Sequence, residues 1–227
     1  MPSRMRSEPK SLRRRVEQRP PRKTLLVFCE GARTEPEYLA ALRREPAVRQ
    51  AAAVDIRIDR DSAGFKPLGL VRKAISARDK AVREQGEIDE FWCVFDVEWP
   101  HTHPGLTEAV ALADSHGIRL AISNPCFELW LALHFADHDA WLDNAAARRL
   151  RCKHDGQHDK GLDAALYMSR RSPAARRAAM LDRRHAKNGT RLPDDNPSSG
   201  MHLLIASVEP GNDGTDGNRG GEGSMGA

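Results

Sequence analysis

Residues 24–31 read TLLVFCEG and decide the fold, because a short apolar run there ends directly in Glu30 and Gly31. A second apolar run, FWCVF at 91–95, is followed by Asp96, Val97 and Glu98. Continuous apolar runs of this length are typical of buried parallel strands. Since ligands of open α/β sheets bind beyond the carboxyl ends of strands, both runs predict an acidic site at that edge.

The rest of the chain alternates strand and helix patterns, which favours an α/β fold with a mostly parallel sheet and helices on both faces. Further strands are predicted at 54–58, nearer an edge, and at 118–122. Helices are predicted at these ranges: 34–44, 68–83, 105–116, from 124 through the apolar run to 135, 160–170, 173–187 and 196–208.

Three helix starts are predicted from capping patterns. Thr34 and Glu37 have the spacing of a capping box. Asn124-Pro125 and Asn196-Pro197 each place a capping asparagine before a proline that suits the first helical turn. Asn124 is therefore interpreted as a cap in preference to a metal ligand.

Charge is strongly segregated along the 227 residues and suggests a domain organisation. Residues 1–22 are basic and predict a disordered arm, and the Gly-rich residues 210–227 predict a disordered tail. Residues 23–147 are predicted to form the α/β domain, and residues 148–209 a helical extension packed on it. Residues 148–191 carry thirteen basic and four acidic side chains, a net charge of +9 that favours contact with nucleic acid. A solvated helical surface is the alternative.

Glu30, Asp96 and Glu98 would crowd negative charge at one edge of the sheet. Mg²⁺ or Mn²⁺, which prefer oxygen ligands, would relieve that repulsion. Glu128 lies in the first turn of the helix predicted after the fourth strand, where it either completes a two-metal site or only complements the helix dipole. His101 and His103 are interpreted as surface residues more readily than as metal ligands, and His134 as a core histidine.

These residues carry a resemblance to a known family. The segments LVFCEG (26–31), TEPEY (34–38), FWCVFD (91–96), AISNPCFELW (121–130), HF (134–135) and NPSS (196–199) occur in order over most of the chain. Together they resemble the RloB-like family, small Toprim-like proteins linked to restriction and abortive-infection loci. Glu98 stands where the general Toprim pattern has Asp.

The resemblance implies a Toprim-like fold and a metal-dependent nuclease of a prokaryotic anti-phage system, acting with a separate ATPase. It implies metal ligation and catalytic roles for Glu30, Asp96 and Glu98, and Glu128 is the candidate further ligand because of its position after the fourth strand. It also makes Lys160 a candidate for stabilising the scissile phosphate, although a solvated lysine at a helix start is an equal interpretation. A non-catalytic metal-binding or nucleic-acid-binding regulatory subunit is the alternative function.

Several other classes are disfavoured. The chain has no P-loop and no Gly-x-Ser-x-Gly motif, so neither ATP hydrolysis nor serine hydrolase chemistry is predicted. No apolar run reaches the ~20 residues of a membrane span, and the basic N-terminus lacks the apolar region of a secretory signal. The four cysteines lack metal-type spacing and are predicted to be free thiols in a reducing cytoplasm. The substrate, DNA or RNA, stays open, as does the oligomeric state.

Overall fold

The computed structural model describes residues 23–51, 54–157 and 161–209. The predicted basic arm at 1–22, the predicted tail at 210–227 and the candidate cation Lys160 lie outside the described residues.

A single mostly parallel sheet organises the described chain, with the strand order β2-β1-β3-β4-β5. The strands are β1 (Thr24–Cys29), β2 (Asp55–Asp59), β3 (Glu90–Asp96), β4 (Arg119–Asn124) and β5 (Ser198–Ser199). The first four run parallel, and the two-residue β5 pairs antiparallel with β4 through Ser123 and Ser199. The predicted α/β class with a mostly parallel sheet is confirmed, and β2 lies at the edge as expected.

Helices connect the strands and cover the sheet. In the described ranges they are α1 (Thr34–Leu42), α2 (Pro46–Ala51), α3 (Pro67–Arg83), α4 (Leu106–Ser115), α5 (Phe127–Ala132), α6 (Asn144–Asp155), α7 (Ala164–Met168), α8 (Arg171–Asn188) and α9 (Met201–Val208), with a 3-10 turn at Arg60–Ser62. None of the helices in these ranges combines the length and the apolar character needed to cross a bilayer.

Side chains alternate between the two faces of each central strand, and each face has its own core. Val27 and Val94 pack in a core shared with α1, α5, α8 and α9. Phe28 and Phe95 face the other core, formed with α3 and α4. Because both faces are buried, the strands read as continuous apolar runs in the sequence.

The strand order places a topological switch point between β1 and β3. The chain leaves β1 on one side to form β2, then returns through α3 to form β3 on the other side of β1. The connections that follow β1 and β3 therefore run in opposite directions and leave a crevice at the carboxyl ends of these two strands, where open α/β sheets bind ligands. Glu30 directly follows β1 and Asp96 ends β3, so both acids lie at this point.

Both predicted asparagine–proline helix starts are wrong. Asn124 is the last residue of β4, its peptide bond to Pro125 is cis, and α5 begins only at Phe127. Asn196-Pro197 is also cis and leads into β5, so the last helix begins at Met201.

Other helix boundaries also differ from the prediction. The residue that precedes α1 is Arg33, whose side chain makes no capping hydrogen bond, and Thr34 is the first residue of the helix and not its cap. The helix predicted at 160–170 reduces to the short α7, and α6 was not predicted. Asp143 caps α6 by accepting from the Ala146 amide, and Gly156 ends it in a left-handed conformation, so the missed helix carries ordinary start and stop signals.

Candidate active site

Glu30 is placed at the centre of the site by pairing between β1 and β3. Its backbone amide donates to the Val94 carbonyl at 3.0 Å, which extends the β1–β3 ladder by one bond. One carboxylate oxygen, Oε1, lies 3.0 Å from His103 Nε2. The other, Oε2, lies 3.5 Å from the Asp96 amide. Glu30 thus links the ends of the two central strands.

Asp96 lies deeper in the same cluster. Its Oδ1 is shielded from solvent and has no hydrogen-bond partner within the described residues. Burial raises the pKa of Asp96 well above its usual range, and the negative charges of Glu35, Glu128 and Glu30 raise it further, against a backbone hydrogen bond from Phe127. Three other carboxylates are therefore close enough to oppose its ionisation.

The backbone conformation that places Glu98 near the cluster differs from the one that the sequence predicted. The prediction assumed that strand geometry would continue through Asp96 and Glu98, but β3 ends at Asp96 and Glu98 has a φ of 63°. Its amide donates to the Pro125 carbonyl at 2.9 Å. Its carboxylate, 42% exposed, lies 3.7 Å from His103 Nε2. Glu98 therefore lies at the solvent rim, with His103 between it and Glu30.

His103, interpreted from its proline-flanked loop as a surface residue, is buried beside the acids. The residue is only 5% exposed, whereas His101 is exposed. Burial lowers the pKa of His103, with Lys66 lowering it further and Glu98 raising it. The Val97 carbonyl accepts from the His103 amide at 3.2 Å and fixes the loop against β3. The sequence gives no local signal for this burial, because the contact depends on tertiary structure.

Glu35 is an acid of the cluster that the sequence reasoning did not single out. It is buried in the first turn of α1, and its carboxylate lies over Gly31, where a Cβ atom would collide with it. Its negative charge raises the pKa of both Glu30 and Asp96. The available signal was Gly31 itself, since a glycine beside a strand end allows close approach of another group.

Glu128 also lies near the other acids, as predicted. Its side chain is 14% exposed, and its Oε1 is 3.9 Å from the exposed Arg148 Nε. It hydrogen-bonds Cys126 and raises the pKa of both Cys126 and Asp96. Because α5 begins just beyond β4, which pairs with β3, Glu128 lies near Asp96 at the carboxyl end of β3.

The environment of Glu30 gives it unusual acid–base properties. Burial raises the pKa of its carboxyl to about 7, and Glu98 and Glu35 add to the increase. A hydrogen bond from the Asp96 amide and the positive charge of Lys66, whose Nζ is 4.0 Å from Glu30 Oε1, act in the opposite direction. In the metal-free protein Glu30 is therefore populated in both protonation states near neutral pH.

Two other polar candidates have structural roles. Asn124 is fully buried, accepts from Trp99 Nε1 at 2.8 Å and donates to the Pro193 carbonyl and the Asp195 carboxylate, so it joins three segments. His134 lies in the core, 3.1 Å from the Tyr38 hydroxyl, and burial lowers its pKa to about 4. Cys29, Cys93 and Cys126 are buried thiols, as expected, and Cys152 is less buried.

The arginines of the basic segment are partly engaged within the protein. Arg177 pairs with Asp137 at 2.6 Å, and Arg184 pairs with Asp139 at 2.7 Å. Arg176 and Arg183 are exposed on α8. The charge available to a polyanion is therefore smaller than the net charge of the segment indicates.

Comparison with known proteins identifies the family. The chain matches the family model for RloB-like protein over residues 25–208, which is most of its length. The resemblance seen in the sequence motifs is thereby confirmed. Among curated proteins and among solved structures, none matches the chain.

Proposed function

Because the chain belongs to the RloB-like family, we propose that it is a metal-dependent phosphodiesterase acting on nucleic acid, of Toprim type. One observation carries the proposal: Glu35, Glu128 and Glu30 all lie close enough to the buried Asp96, at the carboxyl end of β3, for their negative charges to oppose its ionisation. Such a cluster has no evident structural benefit, since like charges destabilise the fold unless something neutralises them. Perturbed carboxyl groups beyond strand ends mark functional sites in α/β proteins.

The donor set suits a hard divalent cation. All the clustered acids offer oxygen, which Mg²⁺ and Mn²⁺ prefer, and the shielded Asp96 Oδ1 lacks a partner within the described residues. In those same residues, no three His, Cys, Asp or Glu side chains already stand as a complete metal-binding group. Asp96, Glu30 and Glu128 would hold the ion after their side chains reorient, with Glu98 at the rim.

The residues divide the chemistry between them. A divalent cation, when bound, supplies the positive charge that stabilises the phosphate during transfer. Glu30 Oε1 can hold or release a proton near neutral pH, with His103 Nε2 at 3.0 Å as its neighbour. Glu30 thus suits either general acid–base catalysis or metal ligation, as the sequence reasoning left open.

Positive side chains border the acids and suit a phosphate backbone. Lys66 stands 4.0 Å from Glu30 and Arg148 3.9 Å from Glu128, and both are largely exposed. Arg176 and Arg183 add exposed charge on α8. Lys160, outside the described residues, stays a candidate on the resemblance alone. We further propose, from the family resemblance, a role in prokaryotic anti-phage defence as the effector of a separate ATPase.

A non-catalytic subunit is the second candidate. It is favoured by Glu98, which stands where the general Toprim pattern has Asp and whose 42% exposed side chain lies at the rim of the site. In that case the acids bind a cation for structure or regulation, and the basic surfaces bind nucleic acid.

A cleavage assay distinguishes the two candidates. Purified protein is incubated with pooled DNA, messenger RNA and transfer RNA, with Mg²⁺, Mn²⁺ or EDTA, and with or without the neighbouring ATPase. We expect metal-dependent cleavage that Glu30→Gln abolishes. Glu108→Gln, an exposed acid on α4, is the matched control and should cleave like wild type. Equal cleavage by Glu30→Gln and wild type would refute the catalytic assignment.

A further inference from the structure

We infer that a cleft between α1 and the end of β2 binds one nucleotide unit of the substrate strand beside the acidic site, an inference that rests on the proposed function. The cleft has a volume of about 390 Å³. It begins at Gly31 and Ala32, directly after Glu30, and extends between Pro36 and Ala40 of α1 and Ile58 of β2. It is separate from the clustered carboxylates.

The cleft is connected to the acidic site through the backbone. Gly64, next to the cleft residue Ala63, donates its amide to the Glu30 carbonyl at 2.8 Å. The wall formed by the 3-10 turn is therefore tied to the residue at the centre of the site. A strand with one nucleotide in the cleft would continue across Gly31 toward Glu30 and Asp96.

The charge of the cleft suits a phosphate. Three arginines line it: Arg33, Arg43 and Arg60. The carboxylate of Asp59, which also lines the cleft, is held by Lys73 at 2.6 Å, and Glu37 by Arg33 at 3.2 Å. Arg60 is exposed and forms no ion pair within the described residues. The cleft is therefore net positive, immediately beside a cluster that repels phosphate.

The size and the apolar wall of the cleft limit what enters. Its volume is that of a small-molecule pocket, so it admits a nucleotide but not a duplex. Pro36, Ala40 and Ile58 offer apolar contact to a sugar or a base face. Among the described residues that line the cleft there is no aromatic ring for stacking, so we expect little sequence preference. The substrate at this position is a single strand, a strand end or an extruded nucleotide.

Binding in EDTA tests the inference without relying on cleavage. Fluorescence anisotropy measures the affinity of the full-length protein for fluorescein-labelled 12-nucleotide oligothymidylate, oligouridylate and a blunt hairpin duplex. Two variants alter the cleft: the double substitution Arg33→Ala with Arg60→Ala removes charge, and Ala40→Phe fills the space. Arg57→Ala is the matched control, because Arg57 is an exposed β2 arginine outside the cleft.

We expect single strands to bind more tightly than the hairpin, and both cleft variants to lose about tenfold in single-strand affinity. Losing two phosphate contacts should also reduce the salt slope by ~1.4, whereas Ala40→Phe should leave that slope unchanged. The Arg57→Ala protein should bind like wild type. The DNA and RNA probes show which backbone is preferred.

Unchanged single-strand affinity in both cleft variants, with melting temperatures like wild type, would overturn the inference. The inference would also be overturned if the hairpin bound more tightly than the single strands and the cleft substitutions weakened hairpin binding by the same factor. Because the readout is binding in EDTA, a failure of this inference can be distinguished from a failure of the nuclease proposal. A protein that binds through the cleft but never cleaves would refute only the catalytic function.

Discussion

The two ends of β3 carry acids in opposite environments. At its start, Glu90 accepts from Trp92 Nε1 at 2.8 Å and pairs with Lys23 at 2.8 Å and Arg119 at 2.7 Å. Burial alone would raise its pKa, but these partners and Ser207 lower the pKa to about 2. At the other end, six residues later, Asp96 lies among acids that raise its pKa.

The ionised carboxylate of Glu90 therefore stabilises the fold, whereas that of Asp96 destabilises it. The ionised form of Glu90 is satisfied by its own chain, so its charge contributes to stability. The ionised form of Asp96 is opposed by its neighbours, so its charge costs stability unless a cation binds. The carboxyl edge of the sheet is therefore the candidate site, and the amino edge is part of the scaffold.

The largest effect is expected for Asp96→Asn, which should reduce metal-dependent cleavage to background. Loss of one preorganised charge at a reacting phosphate costs on the order of a hundredfold to a thousandfold in rate. Initial cleavage rates with Mn²⁺ are the measurement, and Glu90→Gln on the same strand is the control. If Asp96→Asn cleaved at the wild-type rate, Asp96 would not be part of the catalytic site. The contrast between Glu90 as a structural acid and Asp96 as a functional acid would then fail.

Glu128→Gln should lower the cleavage rate about tenfold or more, a loss like those seen when groups supporting a metal site are removed. The reason is that Glu128 acts electrostatically on Asp96 and shares the switch point with it. Calorimetric titration with Mn²⁺ then counts the bound ions in wild type and variant. Identical stoichiometry together with identical rates would contradict a two-metal site.

Glu90→Gln should cost about 2 kcal/mol of unfolding free energy, because hydrogen bonds to charged groups are worth that order. Urea unfolding of both proteins measures the cost, and cleavage by the folded variant should stay at the wild-type rate. Since the pKa of Glu90 is lowered to about 2, its contribution is present above pH 4.5 and is lost as pH falls through 2. A difference in unfolding free energy between wild type and Glu90→Gln that stayed constant from pH 6 to pH 2 would contradict this explanation.

The contribution of Glu30 to the unfolding free energy should depend on pH in the opposite direction from that of Glu90, and by a smaller amount. Its raised pKa, about 7 against 4.5, means that its stabilising contribution is complete below pH 4.5 and is lost as pH rises through 7. After allowance for solvent screening, we expect metal-free wild type to lose about 1 kcal/mol over this range relative to Glu30→Gln. Urea unfolding in EDTA at several pH values tests this, and parallel pH profiles of the two proteins would show that Glu30 is not perturbed.

The sheet could be predicted from sequence because its central strands are apolar on both faces. The apolar runs at β1 and β3 have the length typical of buried strands, and the acids that follow them fall at the strand ends by position. The placement of Glu30 and Asp96 beside each other then follows from parallel pairing. Glu128 was predictable for the same reason, since it follows β4.

The remaining features depend on contacts between distant segments. Asn124 has the local pattern of a helix cap, but its side chain bonds Trp99, Pro193 and Asp195, up to 71 residues away. His103 resembles a loop histidine until the loop folds against β3. The two-residue β5 has too little sequence to carry a strand pattern. Such features are set by tertiary structure, which overrides local propensity.

The most direct test of the central claim is the unfolding free energy of wild type and Asp96→Asn at pH 8, measured in EDTA and with Mn²⁺. If the clustered carboxylates form a cation site, metal-free Asp96→Asn is more stable than wild type, because a repulsive charge is gone. Wild type should gain about 2–3 kcal/mol from Mn²⁺ at a hundredfold excess over its Kd, and the variant should gain almost none. A variant that is less stable than wild type in EDTA and gains equally from Mn²⁺ would contradict the account.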